Sequence, residues 1–159
     1  MSERIHTLKA ELARSRQHLL HVLDQVGDRW NTQVYSEGAA WTVGQLAIHL
    51  AISDRGQTNT VIGIAEGREL IPADFDLERY NRRSVEKRAD LTPEQVRAEL
   101  AAAREQLNAW LDSVDDSVLE KEGRHGSLQI LSIAQFLQVM ADHERNHADD
   151  IARVLEARA

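Results

Sequence analysis

Two imidazoles stand four residues apart in Asp142-His143-Glu144-Arg145-Asn146-His147, within a stretch whose apolar periodicity is helical. On an α-helix residues i and i+4 lie one turn apart on the same face, so both rings can reach one ion from a rigid support. The same string satisfies H-E-x-x-H, the zinc-protease signature in which the Glu is the general base. That reading needs a third ligand further along, and only twelve residues follow His147. In the extended form of the signature Gly and a third His follow, and here Asp150 and Arg153 occupy those positions. The motif is therefore read as a His pair, with Glu144 incidental. Glu144 points about 100° away from His143 on a helix and is expected to be solvated.

A third ligand has to come from upstream, and the chain has no Cys to offer. His49 shares a face with Leu46 and Ser53, three before and four after it, which places it toward the core beside an apolar stripe. Packing its helix against the helix of the pair would gather three neutral imidazoles at one ion and leave coordination positions for water or substrate. An ion with a free position can polarise a substrate or lower the pKa of a bound water or thiol, and without Cys any thiol must come from a cofactor. Of the remaining His, His6, His18 and His21 are expected to face solvent or a helix neighbour, and His125 lies in a Gly-flanked loop. Asp54 and Asp142 are candidates to orient an imidazole, although exposed helix surface is the commoner fate of such carboxylates. Trp41 is read as a packing staple at a helix start. No catalytic or cofactor-binding residue is assigned.

Four long helical segments must position these residues. The first carries Ile5, Leu8, Leu12, Leu19, Val22 and Val26 with Ser15 as the polar member of the stripe, and Gly27 suggests its stop. The second begins at the capping box Thr42/Gln45 and runs through Leu46, Leu50, Val61 and Ile64 to about Gly67. The third opens on Thr92-Pro93-Glu94-Gln95, a second capping box with Pro at the first helical position, and continues to Val114. The fourth is capped by Ser132 with Gln135 and carries Ile133, Phe136, Met140, His147, Ile151 and Val154. Residues 27–41 and 115–131 are loop-sized, and no strand pattern is evident. The long connection 68–91 holds Asp76–Asn81, a short extra helix. Together these predict an all-α fold, a four-helix bundle with one long crossover connection, forming a single domain over residues 1–159. Between Ile130 and Met140 the apolar residues are wider than one stripe, which predicts a surface covered by a second copy in a homodimer.

Composition narrows the partners. The formal net charge is −7 with Lys and Arg dispersed, which argues against nucleic acid. No apolar run approaches the roughly 20 residues needed to cross a bilayer, and Met1–Leu12 lacks the layout of a signal peptide, so a cytoplasmic protein is expected. The charged run Arg79–Arg88 reads as a solvated face, with Arg82 or Arg83 available to an acidic cofactor if that segment borders the site.

The segment Trp41-Thr42-Val43-Gly44-Gln45-Leu46-Ala47-Ile48-His49-Leu50, the pair His143/His147 and, more weakly, residues 76–81 resemble the DinB-like superfamily, also described as YfiT-like metal-dependent hydrolases and thiol S-transferases. The likeness covers nearly the whole chain in order and spacing. It implies a helical bundle, a divalent-metal site made by His49, His143 and His147, frequent homodimers, and chemistry that uses a low-molecular-weight thiol such as bacillithiol or mycothiol. Three His ligands suit zinc or nickel. The expected function is a metal-dependent small-molecule transferase or hydrolase. The alternative is a non-catalytic, metal-stabilised dimer with a binding or stress-associated role, and a pocket opening at the metal would favour the enzyme.

Overall fold

The structure is a computed structural model that describes residues 2–157. Five α-helices succeed one another: α1 (Glu3–Asp24), α2 (Val43–Ala65), α3 (Leu77–Lys87), α4 (Pro93–Ser113) and α5 (Ile133–Ala157). Side chains start them. Thr42 Oγ1 accepts from the Gln45 N–H while Gln45 Oε1 accepts from the Thr42 N–H, and Thr92 with Gln95 repeats this reciprocal pairing at α4. Ser132 and Gln135 do the same for α5, at 3.1 and 2.9 Å. The end of α2 is equally local: Gly67 takes φ +78°, its N–H reaches the Ile64 carbonyl, and the Arg68 N–H reaches that of Gly63. This left-handed closure spends carbonyls that the last turn would otherwise leave unpaired.

The four long helices form the bundle, with α1 packed on α5, α5 on α2, and α2 on α4. Its core is divided. One apolar cluster holds Leu19, Leu46, Leu50, Leu100 and Ile151; the other holds Leu12, Val61, Leu107, Phe136 and Leu137. Between them every long helix contributes one buried charge: Arg16 from α1, Asp54 from α2, Arg104 from α4 and Glu144 from α5. Arg16 Nε donates to Glu144 at 2.7 Å, Arg16 also reaches Asp54 at 3.1 Å, and Arg104 lies 3.4 Å from Asp54 and 3.5 Å from Glu144. Arg16 and Arg104 also donate to the Leu100 and Leu12 carbonyls respectively, which ties α1 to α4. Burial alone would lower the Arg16 pKa, but the two carboxylates more than reverse this and raise it. Two cations and two anions thus close a balanced tetrad, the arrangement that makes buried charge tolerable.

Three expectations need correction. Glu144 and Asp54 are not on a solvated surface; they are 5% and 9% exposed, because their helices turn them into this shared layer. Residues 115–131 contain structure: a 3₁₀ turn over Asp116–Glu120, then an antiparallel hairpin of β1 (Glu122–Arg124) and β2 (Ile130–Ser132). Strands of three residues are too short to show a period of two. Within the wide apolar stripe Ile133, Phe136, Leu137 and Met140 are buried in the chain's own core, and Ile130 is largely exposed. The extra helix in the crossover is longer than its expected core, running on to Lys87 with Val85 as its buried anchor. No described helix is long and apolar enough to cross a membrane.

Candidate metal centre

His49 lies two turns into α2, and His143 and His147 lie one turn apart on α5. The α2–α5 contact brings the three rings together. His143 Nε2 stands 3.3 Å from His49 Nε2 and 3.0 Å from His147 Nε2, and one nitrogen from each ring falls within 4.8 Å of the others. Nitrogens about 2.0–2.1 Å from one tetrahedral ion are roughly 3.3–3.4 Å apart, so the spacing fits a shared divalent ion.

Protonation supports the same fit. Burial lowers the pKa of His49 and of His143 to about 3, with the neighbouring imidazoles adding to the effect, so both rings are neutral at ordinary pH. Burial also lowers that of His147, against the opposing pull of Asp150. The His147 tautomer is set from the 28–42 loop. Tyr35 Oη lies 2.8 Å from His147 Nδ1 and donates its single proton to Asp150. Burial, then the Asp150 carboxylate, raises the phenol pKa, so the hydroxyl keeps that proton. The Tyr35 oxygen must then accept from Nδ1–H, which leaves the Nε2 lone pair of His147 facing the other two rings. Neither Tyr35 nor Asp150 is among the candidates drawn from the sequence. A loop Tyr has no periodicity to flag it; the only trace is Asp150, three residues beyond His147.

The remaining candidates separate clearly. Trp41 packs over the His49 ring with centroids 4.7 Å apart, so it supports a candidate ligand as well as the start of α2. Asp142 pairs with Gln138 and Arg145 at the surface and orients no imidazole. His18 meets Asp149 at 2.7 Å, while His6 and His21 are exposed. Glu144 faces the tetrad on the other side of α5.

Beside the rings a chamber of about 150 Å³ opens between α2, α3, α5 and the hairpin. His49 and His143 form part of its wall, with Phe75, Tyr80, Phe136 and Val139 among the apolar surfaces. Tyr80 and Asn81 bring α3 to the chamber, but Arg82 and Arg83 do not line it; Arg83 belongs instead to an outer groove with Arg79 and Lys87. A larger concavity of about 550 Å³ between α1 and α4 shares no residue with the three histidines. The smaller chamber is the one where polar nitrogens converge.

A family model of the DinB superfamily matches residues 11–151. The chain belongs to the DinB superfamily. The matched span contains His49, His143 and His147, the whole of α2, α3 and α4, and most of α1 and α5. No curated protein and no solved structure matches the chain.

Proposed function

We propose that this DinB-superfamily protein is a metal-dependent enzyme acting on small molecules, with His49, His143 and His147 as the ligands of one divalent ion, zinc or nickel. The observation that carries the reading is the convergence of three neutral imidazoles, buried or half-buried, of which His49 and His143 line an open chamber. A site serving stability alone has no need of that opening, which favours an enzyme over the metal-stabilised binding protein. An ion held there would supply Lewis acidity, lowering the pKa of a bound water or thiol at neutral pH. The protein's own part is positional. Tyr35 and Asp150 hold His147 in one tautomer, and Trp41 packs on His49. With no Cys in the chain, a thiol-dependent transfer would draw its thiol from a cofactor of the bacillithiol or mycothiol kind. Water in the same place would give hydrolysis.

Metal analysis of protein purified without added metal, followed by a screen of small thiols against an electrophilic dye, tests this. One equivalent of zinc or nickel in the wild type, lost in His147→Ala, together with metal-dependent turnover, is the expected result. A wild type that binds no divalent ion on reconstitution would overturn it.

A further inference from the structure

The chamber wall contains no Asp, Glu, Lys or Arg among the described residues. A cationic substrate would enter without a counter-charge from these walls, and a divalent ion on the histidines would repel it further. The volume is that of a single ring, since an apolar cavity of about 150 Å³ takes benzene. Most polar side chains along α2 are already spent on their own helix: Gln57 donates to Ser53 Oγ at 2.9 Å, and Thr60 Oγ1 donates to the Gly56 carbonyl at 2.9 Å.

His125 differs from these. Its ring lies edge-on to Phe136, with centroids 4.7 Å apart, at the hairpin side of the chamber. Nδ1 accepts the Ser127 backbone N–H at 3.0 Å, with Ser127 Oγ at 2.9 Å, so in the neutral ring the proton is on Nε2. Nε2 has no protein partner among the described residues. The turn therefore fixes a single hydrogen-bond donor on a residue that lines an otherwise uncharged, mainly apolar space. Phe136 and His143 are two turns apart on α5, roughly 10 Å, which leaves room for a substituted ring between donor and imidazoles.

We propose that the substrate of this site is a small molecule without positive charge, with an apolar body one ring in size, bearing a carbonyl-type acceptor that His125 Nε2–H binds and orients. The proposal rests on the metal reading of the three histidines for its chemistry, and on the chamber alone for its selectivity. Fluorine NMR titrations of zinc-loaded protein with three single-ring probes test it: para-fluoroacetophenone, para-fluorotoluene and para-fluorobenzylammonium. The ketone should bind about 5-fold more tightly than the toluene, the worth of one net hydrogen bond. The ammonium should bind at least about 100-fold more weakly than the ketone. In His125→Phe, which keeps a ring and removes the donor, the ketone's advantage should vanish. Val139→Phe, which fills the chamber, should abolish binding of all three.

Ammonium binding equal to that of the ketone would overturn the proposal. So would a ketone preference that survives in folded His125→Phe, because the acceptor would then be held elsewhere, or no probe binding to protein that carries stoichiometric zinc. Should His125→Phe fail to fold, the wild-type order of the three probes decides. A protein that takes no zinc yet ranks the probes as stated would defeat the metal reading and leave this one standing.

Discussion

Glu144→Gln separates the two roles that the H-E-x-x-H string offers this residue. The side chain is 6% exposed, and Oε1 takes the Arg16 Nε–H at 2.7 Å. Oε2 makes no hydrogen bond but faces Arg104 at 3.5 Å. Gln keeps the volume and can keep the acceptor toward Arg16. It then turns an amide N–H₂ toward a guanidinium and leaves two cations facing the single carboxylate of Asp54. Removing one partner of a buried ion pair outright costs about 3–5 kcal/mol. The retained hydrogen bond recovers part of this, so a loss of about 2–3 kcal/mol is expected. Urea unfolding of chelator-treated wild type and variant at neutral pH measures it, and a zinc titration on each folded protein should give the same stoichiometry. A stability change below about 0.5 kcal/mol, the range of ordinary surface substitutions, would show that the tetrad does not hold the core as argued. Unchanged stability with lost zinc would instead place Glu144 at the metal.

Tyr35→Phe removes the acceptor for His147 Nδ1–H and should weaken zinc binding about 10–100-fold with little change in fold, measured by chelator competition; equal affinity would mean that the ring needs no such orientation. The metal-free protein should lose stability in acid. His49 and His143 stay neutral when folded down to about pH 3, whereas unfolded His protonates near pH 6.5, so the unfolded state binds more protons between those limits. Stability should fall as pH drops through that window, by up to about 1.4 kcal/mol per pH unit for each ring, and be flat above it; identical urea midpoints at pH 7.5 and about pH 5 would refute the burial argument. Replacing the whole tetrad with apolar residues of similar size, Arg16→Met, Asp54→Leu, Arg104→Met and Glu144→Leu, should leave unfolding stability equal or higher while lowering zinc affinity. Undiminished affinity would show that packing alone sets the rotation of α2 and α5.

Local signals in the sequence carried the parts of this fold that are themselves local. The reciprocal caps at Thr42/Gln45, Thr92/Gln95 and Ser132/Gln135 mark three helix starts where the structure has them, because each is a contact within four residues. His143 and His147 are legible for the same reason, and His49 because Leu46 and Ser53 mark the face of its helix. The tetrad is not legible this way. Read one helix at a time, Arg16, Asp54, Arg104 and Glu144 look like polar edges of apolar stripes, and only the packing shows that their charges balance. Tyr35 and His125 escape for another reason. Both act from irregular segments, where no period ties a side chain to a direction.

The charged layer and the histidines are coupled through two helices. Glu144 follows His143 directly on α5, and Asp54 lies five residues beyond His49 on α2. Rotating α5 by one residue, about 100°, would carry Glu144 away from Arg16 and Arg104 and in the same motion take His143 away from His49. Apolar side chains would tolerate such a slip more readily, because burial is non-directional and residues of similar volume can exchange places. The Arg16–Glu144 hydrogen bond cannot, since its loss leaves a charge buried without a partner. The layer is therefore best understood as an orienting device. It adds little net stability over an apolar core, but it makes one rotational setting of α2 against α5 far cheaper than its neighbours, and that setting is the one in which three imidazoles meet.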